Sequence, residues 1–279
     1  MRRPRIGIST IATATPGYPR SFHGCEVEIV ELCNLDERQL EALEARPGEL
    51  AVGLHCPLPF AGWVPHFEIT GPDPERRRQA FDLVERTMQT AKQVRGDYVV
   101  IHFPTVLRDP ERARGVDGKR ALTEAVQLAQ ELAELSAKHG VRLLLENVGP
   151  NPWLFRGEHY RQVFEAAPSL RMCLDFGHAH VLDIGEDVHG FTRAVAPFVV
   201  SIHLYNASTT SYRVGFHLAP SSDRRPEDGW MDLPALLAQL RESAPLEYVI
   251  FEHNHGPANE TPEVIGEIRR LHRLVHELW

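Results

Sequence analysis

The sequence predicts a single α/β domain over residues 1–279, folded as a (β/α)8 barrel. Three observations lead to this prediction: apolar segments alternate about eight times with amphipathic ones, the apolar segments are almost continuously hydrophobic, and long connections follow several of them. Such alternation favours parallel strands with both faces of the sheet buried. In a barrel of this kind the functional site lies at the carboxyl ends of the strands. A doubly wound open sheet is the alternative, but no G-x-G-x-x-G segment follows the first strand.

Eight segments have the branched apolar composition of buried strands. The segment VRLLLENVGP at 141–150 is the clearest, because its apolar run stops at Glu146 and Asn147 before Gly149 and Pro150 break the strand. The predicted strands cover residues 5–10, 26–32, 50–55, 98–102, 141–146, 170–175, 198–203 and 246–252.

Amphipathic helices are predicted between these strands. Apolar residues recur at helical spacing in each interval, as at Phe81, Val84, Met88 and Ala91. Gly96 and Gly140 are expected to end two of the longer helices. The predicted helices cover residues 36–45, a segment ending near 95, a segment ending at 138–140, 159–167, 186–195, 232–243 and a last segment that includes 264–278.

Six predicted strands end in a potential metal ligand: His55, His102, Glu146, Asp175, His203 and Glu252. A buried carboxylate is costly unless it is paired or binds a cation. Taken singly, a strand-end histidine can be held by a backbone carbonyl, and Asp175 can cap a helix. Taken together, the six favour a metal site. His178 follows Asp175 by three residues, and Gly177 between them permits a tight exit from the strand towards the same end of the barrel.

The charge pattern argues against nucleic acid and membrane partners. The net charge is −8 with neutral histidines, and the basic residues are interspersed with acidic ones. The chain contains no apolar run of membrane-spanning length and no signal-peptide pattern, which leads us to expect a cytoplasmic protein. Its four cysteines form no C-x-x-C pair and are expected to be reduced thiols.

The fragments HCP, IHFP, LLLEN, LDFGHAH, IHLYNAS and FEHN, in this order, resemble the xylose isomerase-like barrels, which include sugar isomerases, epimerases and endonuclease IV. The resemblance implies one divalent metal held by Glu146, Asp175, His203 and Glu252. The ligand set is closest to the endonuclease IV branch, which implies a second metal on His55, His102 and Glu146. A third would use His178 and His217, but Gly215 stands where that branch has an aspartate, so Asp223 or Asp228 would have to replace it.

This ligand count predicts a metal-dependent phosphodiesterase with Glu146 and Glu252 as catalytic residues. Two cations bridged by Glu146 would acidify a shared water and neutralise phosphate oxygens. Histidine and carboxylate ligands suit zinc, manganese or iron(II) rather than magnesium, and we expect two such ions, with a third depending on the substituted aspartate.

The expected substrate is a small phosphate-containing molecule and not DNA, because the chain is acidic. The resemblance includes cobamide-type substrates. Arg213, Arg224 and Arg225 in the seventh loop are candidates for a phosphate contact, and Trp153 and Trp230 are candidates for stacking on a ring.

Two other functions fit the same residues. A divalent-metal-dependent sugar or polyol isomerase or epimerase would use one metal, with Glu146 and Glu252 as acid and base on a carbonyl sugar. A barrel that only binds a metal or a ligand is the third possibility, because fold does not guarantee activity. Metal content separates them: two or more ions favour the hydrolase, one favours the isomerase and none favours the binding barrel.

Overall fold

Eight parallel strands close into a barrel, as predicted. The computed structural model describes residues 2–12, 21–44, 50–60, 67–71, 73–105, 117–149, 151, 153–154, 156–181, 186–208, 217–254 and 260–279. Each barrel strand pairs with the next one in sequence, and the last pairs with the first. The strands are β1 (Arg5–Ser9), β2 (Ile29–Leu32), β3 (Ala51–His55), β4 (Tyr98–His102), β5 (Leu143–Glu146), β6 (Arg171–Asp175), β7 (Val199–Leu204) and β8 (Tyr248–Phe251).

The described part of the chain contains eight α-helices, seven in the connections between these strands and one after β8. Asp73 caps the second helix by accepting a hydrogen bond from the Glu75 backbone N–H, and Gly140 ends the third helix with a left-handed φ of 64°. The helices are α1 (Glu37–Glu44), α2 (Pro74–Val94), α3 (Gly118–His139), α4 (Gly157–Ala166), α5 (Phe176–Val181), α6 (Val188–Val195), α7 (Leu233–Ser243) and α8 (Pro262–Leu278).

Strand alternation places the predicted ligands one layer above an apolar core inside the barrel. Successive residues of a strand face opposite sides, so every second residue points inwards. The interior cluster contains, among others, Ile29, Val100, Leu144, Cys173 and Ile250. Each lies two residues before a polar side chain, respectively Glu31, His102, Glu146, Asp175 and Glu252. The site therefore rests directly on the packed floor of the barrel.

Two local features differ from the sequence prediction. The segment after β6 forms the short helix α5, which was not predicted, and the predicted second strand is divided. Its first residue, Glu26, instead belongs to a short strand, Cys25–Glu26, that pairs antiparallel with Ser21–Phe22. Gly177 lies within α5 and does not make a tight turn. A Cβ at this position would lie 2.3–2.4 Å from atoms of the Tyr205 side chain, so glycine is needed there for close packing.

Two further features of the described residues concern membrane spans and cysteines. No helix in the described ranges has the length and apolarity needed to cross a membrane. All four cysteines are free and buried. Burial raises the pKa of Cys56 and of Cys173 to about 12, which keeps both thiols protonated near neutral pH.

Candidate metal centre

The eight predicted ligands meet at the carboxyl end of the barrel in three overlapping groups. Within each group, one ligand atom from every residue lies within 4.8 Å of the others. The central group is Glu146, Asp175, His203 and Glu252, the first flanking group is His55, His102 and Glu146, and the second flanking group is Asp175, His178 and His217. Since Glu146 and Asp175 each belong to two groups, the three form one continuous cluster.

His203 presents its Nδ1 atom to the central group. Its Nε2 atom lies 2.9 Å from Glu31 Oε1, and a carboxylate can only accept a hydrogen bond, so Nε2 carries a proton. Nδ1 lies 3.0 Å from Glu252 Oε2 and 3.4 Å from Glu146 Oε1. Asp175 Oδ2 is 3.9 Å away. In neutral imidazole Nδ1 is then the nitrogen whose lone pair is available to a cation.

Asp175 divides its two oxygens between the fold and the site. Oδ1 accepts hydrogen bonds from the His178 backbone N–H at 2.6 Å and from the Tyr205 hydroxyl at 2.8 Å. The side-chain amide of Asn147 bonds both the N–H and the carbonyl of Asp175, at 2.9 and 2.8 Å. Asp175 is thus both a cap of α5 and a candidate ligand, two roles that the sequence had presented as alternatives.

The central group fits a divalent cation. Asp175 Oδ2 is fully buried and has no hydrogen-bond partner among the described residues, and the equally buried His203 Nδ1 faces carboxylate oxygens. Burial opposes ionisation of Glu146 and Glu252, but the neighbouring histidines hold the pKa of Glu146 well below its usual range and lower that of Glu252 to about 2. Buried carboxylates of this kind need a compensating positive charge, and a bound cation supplies it.

The first flanking group is arranged around the other oxygen of Glu146. His55 Nε2 lies 2.9 Å and His102 Nε2 lies 3.6 Å from Glu146 Oε2. His55 Nδ1 donates to the Cys56 carbonyl at 3.1 Å. Burial would lower the pKa of His55, but the hydrogen bond and charge of Glu146 raise it to about 9. His102 is the accessible member, with 40% of its side chain exposed.

The second flanking group is held by backbone carbonyls. His178 Nδ1 donates to the Asn147 carbonyl at 3.0 Å, and His217 Nδ1 donates to the Glu252 carbonyl at 2.7 Å. Each ring therefore keeps Nε2 for a cation. His217 has a φ of 54° and stacks on Tyr205 with ring centroids 4.2 Å apart. Asp175 supplies the carboxylate of this group, whereas Asp223 and Asp228, the predicted substitutes, are exposed.

The residues predicted to contact substrate form no comparable cluster within the described part of the chain. Arg213 lies outside the described residues. Trp153 is half-buried and packs against the hydrophobic core. The guanidinium of Arg224 lies over the Trp230 ring at 5.2 Å from its centroid, while Arg225 pairs with Glu227 and Asp228. A role for Arg213, Trp153 and Trp230 in substrate binding stays a prediction.

Glu31 is a site residue that the sequence prediction missed. It is fully buried, near the end of β2, and it bonds His203 and the Tyr98 hydroxyl. The same rule that selected Glu146 could have found it, because Glu31 also stands at the carboxyl end of an apolar strand. Tyr205 and Asn147 carry no comparable sequence signal, since each acts by holding Asp175 across the fold.

Solved structures with the same fold cover nearly the whole chain. A D-tagatose 3-epimerase-like protein is 13% identical, covers 98% of each chain and has a TM-score of 0.71. The IOLI protein with a bound zinc atom is 14% identical, with 99% coverage of each chain and a TM-score of 0.68. The 3-keto-D-glucoside 4-epimerase YcjR from E. coli is 16% identical, covers 99% of this chain and 98% of its own, and has a TM-score of 0.64. No curated protein matches the sequence significantly.

These comparisons overturn the prediction of a phosphodiesterase. The similar structures are mostly sugar epimerases and isomerases, and they favour the alternative that the sequence had left second. The error lies in inferring the reaction from the number of ligands. His55 illustrates this point, because its bond to Glu146 can orient that carboxylate as well as bind a second cation.

The family itself follows from the sequence match and the fold together. The xylose isomerase-like TIM barrel family matches residues 21–273, which is most of the chain. The predicted closed barrel, which the structure confirms, agrees with this match. The chain belongs to the xylose isomerase-like TIM barrel family.

Proposed function

We propose that the protein is a divalent-metal-dependent isomerase or epimerase of a sugar or a related hydroxy-carbonyl compound. The observation that carries the proposal is the central group, in which two buried glutamates accompany an aspartate and a histidine. Glu146 comes from β5 and Glu252 follows β8, at the two ends of an arc of four adjacent strands. The two carboxylates thus approach the same place from different sides.

Glu146, Asp175, His203 and Glu252 would hold the cation, and zinc, manganese or iron(II) suit this mixed set of ligands. When bound, the cation would polarise the carbonyl group of the sugar and so acidify the neighbouring C–H bond. The flanking groups give the centre room for further cations, because each has its own histidines and shares one carboxylate with the central group.

The two glutamates would move the proton. Both have a pKa below the usual range, so both are ionised near neutral pH and either can accept the proton from the carbon next to the carbonyl. Delivery of a proton to the former carbonyl carbon, with the hydroxyl proton moving from one oxygen to the other, gives an isomer. Delivery of a proton to the opposite face of the original carbon gives an epimer. Neither outcome needs a redox cofactor, since only protons change place.

Exchange with heavy water tests this proposal. The metal-loaded protein is incubated in deuterium oxide with a panel of ketoses and aldoses, and deuterium at the carbon next to the carbonyl is measured by NMR. We expect incorporation with at least one sugar, and Glu252→Gln should reduce its rate by about 10²–10⁴-fold. Glu68→Gln is the matched control, because Glu68 is similarly buried but pairs with Arg76 and belongs to none of the three ligand groups.

Failure would take a recognisable form. A protein that binds the metal tightly but exchanges no proton with any sugar of the panel would contradict the isomerase and leave a metal-binding barrel. Equal loss of exchange in Glu68→Gln and Glu252→Gln would show a general effect of removing a buried carboxylate.

A further inference from the structure

Glu31 is a buried carboxylate with two side-chain hydrogen-bond donors. Oε1 accepts the His203 Nε2–H at 2.9 Å, and Oε2 accepts the Tyr98 hydroxyl at 2.9 Å. Glu31, His203 and Tyr98 are all fully buried, and no lysine or arginine of the described chain pairs with Glu31. An ionised carboxylate in such a position is costly unless a positive charge reaches it.

The barrel keeps space for this arrangement. Tyr98 is the first residue of β4, and its ring lies next to Gly53 of β3. A Cβ at Gly53 would lie 2.4 Å from Tyr98 Cζ and 2.5 Å from its hydroxyl oxygen. The missing side chain of Gly53 therefore allows the Tyr98 hydroxyl to reach Glu31 from the floor of the barrel.

We propose that Glu31 is a positioning residue of the metal centre, which fixes the tautomer and the ring orientation of His203 so that Nδ1 faces the cation. The proposal rests on the central metal site of the proposed function. A carboxylate bonded to the far nitrogen of a ligating imidazole makes the near nitrogen a stronger ligand and holds the ring in place. The cation would draw electron density from His203 and make its Nε2–H more positive, and this would offset the cost of burying Glu31.

Metal affinity of the Glu31→Gln variant tests this role without an activity assay. The amide has nearly the volume of the carboxylate but lacks its charge. We expect zinc affinity, measured by competition with a chromophoric chelator, to fall by about 10- to 100-fold. The exchangeable His203 Nε2 proton, which is far downfield when bonded to a carboxylate, should move upfield in the NMR spectrum of the zinc-loaded variant.

Two further variants make the result specific. Glu68→Gln removes a carboxylate that is just as buried but bonded to Arg76, and its zinc affinity should match that of the unaltered chain. Glu31→Asp keeps the charge with a shorter reach, and its affinity should lie between those of the unaltered chain and Glu31→Gln. It replaces Glu31→Gln in the comparison if that variant does not fold.

The possible failures are separable. An unaltered chain that binds no zinc overturns the central metal site itself. An unaltered chain that binds zinc, together with Glu31 variants of the same affinity and the same Nε2 proton resonance, overturns only the role of Glu31. A loss in Glu68→Gln as large as that in Glu31→Gln also overturns it.

Discussion

At the scale of single residues, His55 and His178 link metal binding to pH. Burial would lower both pKa values, but Glu146 raises that of His55 to about 9, and Asp175 together with Glu146 raises that of His178 to about 9. Both rings are therefore protonated at pH 7 in the metal-free protein. A cation needs the lone pair that the proton occupies, so binding at the flanking groups must release protons.

We accordingly expect the affinity of the flanking groups for zinc to rise as pH increases from about 6.5 to about 9, and to level off above the raised pKa values. Calorimetry in buffers with different ionisation enthalpies counts the protons released per zinc ion. His102 contributes none, because partial burial and the neighbouring charges of His55 and His178 lower its pKa to about 4. Affinity that does not change over this pH range would contradict zinc binding by His55 and His178.

The sequence was informative about individual ligands because a strand ends where its last inward residue meets the mouth of the barrel. The prediction missed Glu31 because of the residues around it. The segment EVEIVEL contains three glutamates and looks like a solvated strand face, yet Glu31 differs in parity from Glu26 and Glu28. It shares its face with Ile29, which lies inside the barrel. Counting every second residue from Ile29 would have placed Glu31 in the barrel interior.

At the scale of elements, α5 depends on contact with the strand beside it. Gly177→Ala would place a Cβ 2.3–2.4 Å from atoms of the Tyr205 side chain, well inside van der Waals contact, so the ring or the helix must shift. We expect a loss of roughly 1–3 kcal/mol in the free energy of unfolding, measured by urea denaturation. Because Tyr205 bonds Asp175 and stacks on His217, zinc affinity should fall as well.

Gly266→Ala is the control for this substitution. Gly266 also lies within a helix, α8, but a Cβ there would meet no atom within 4 Å. Alanine is favoured over glycine in a helix, so this variant should gain roughly 0.5–1 kcal/mol. Equal effects of the two substitutions would show that the packing of Tyr205 on Gly177 has no special importance.

The sequence could place α5 only poorly. Its six residues, FGHAHV, are too few for a helical period to be visible, and Gly177 suggested a turn. The position of Tyr205, which explains the glycine, depends on the pairing of β6 with β7. Contacts of this kind are tertiary, and the spacing of residues within one segment does not reveal them.

At the scale of the whole molecule, the central group joins the four adjacent strands β5 to β8, which make up one half of the barrel. Chelation should therefore lower the melting temperature, because Glu146, Asp175 and Glu252 would be left close together without a cation. Adding zinc back should restore stability by about 2.7 kcal/mol when its free concentration is roughly 100 times the dissociation constant. Differential scanning calorimetry at several zinc concentrations measures this effect, and a melting temperature independent of zinc would argue against a structural contribution of the site.

The barrel was predictable because eight repeats of one pattern leave few alternatives, and the reaction was not. Ligand identity follows from strand ends, but His55 can bind a cation or merely hold Glu146, and the sequence does not distinguish these roles. The choice between hydrolysis and isomerisation depends on the substrate and on the other side chains that would approach the cation.

The distribution of the ligands along the chain has a consequence for synthesis. Residues of the central group extend from Glu146 to Glu252, and β8, just before Glu252, is also the strand that closes the barrel on β1. A ribosome-bound chain that lacks its last strand is thus an open sheet that also lacks one of the four ligands. Tight metal binding would then be delayed until translation has passed Glu252, so a bound ion would mark a completed barrel.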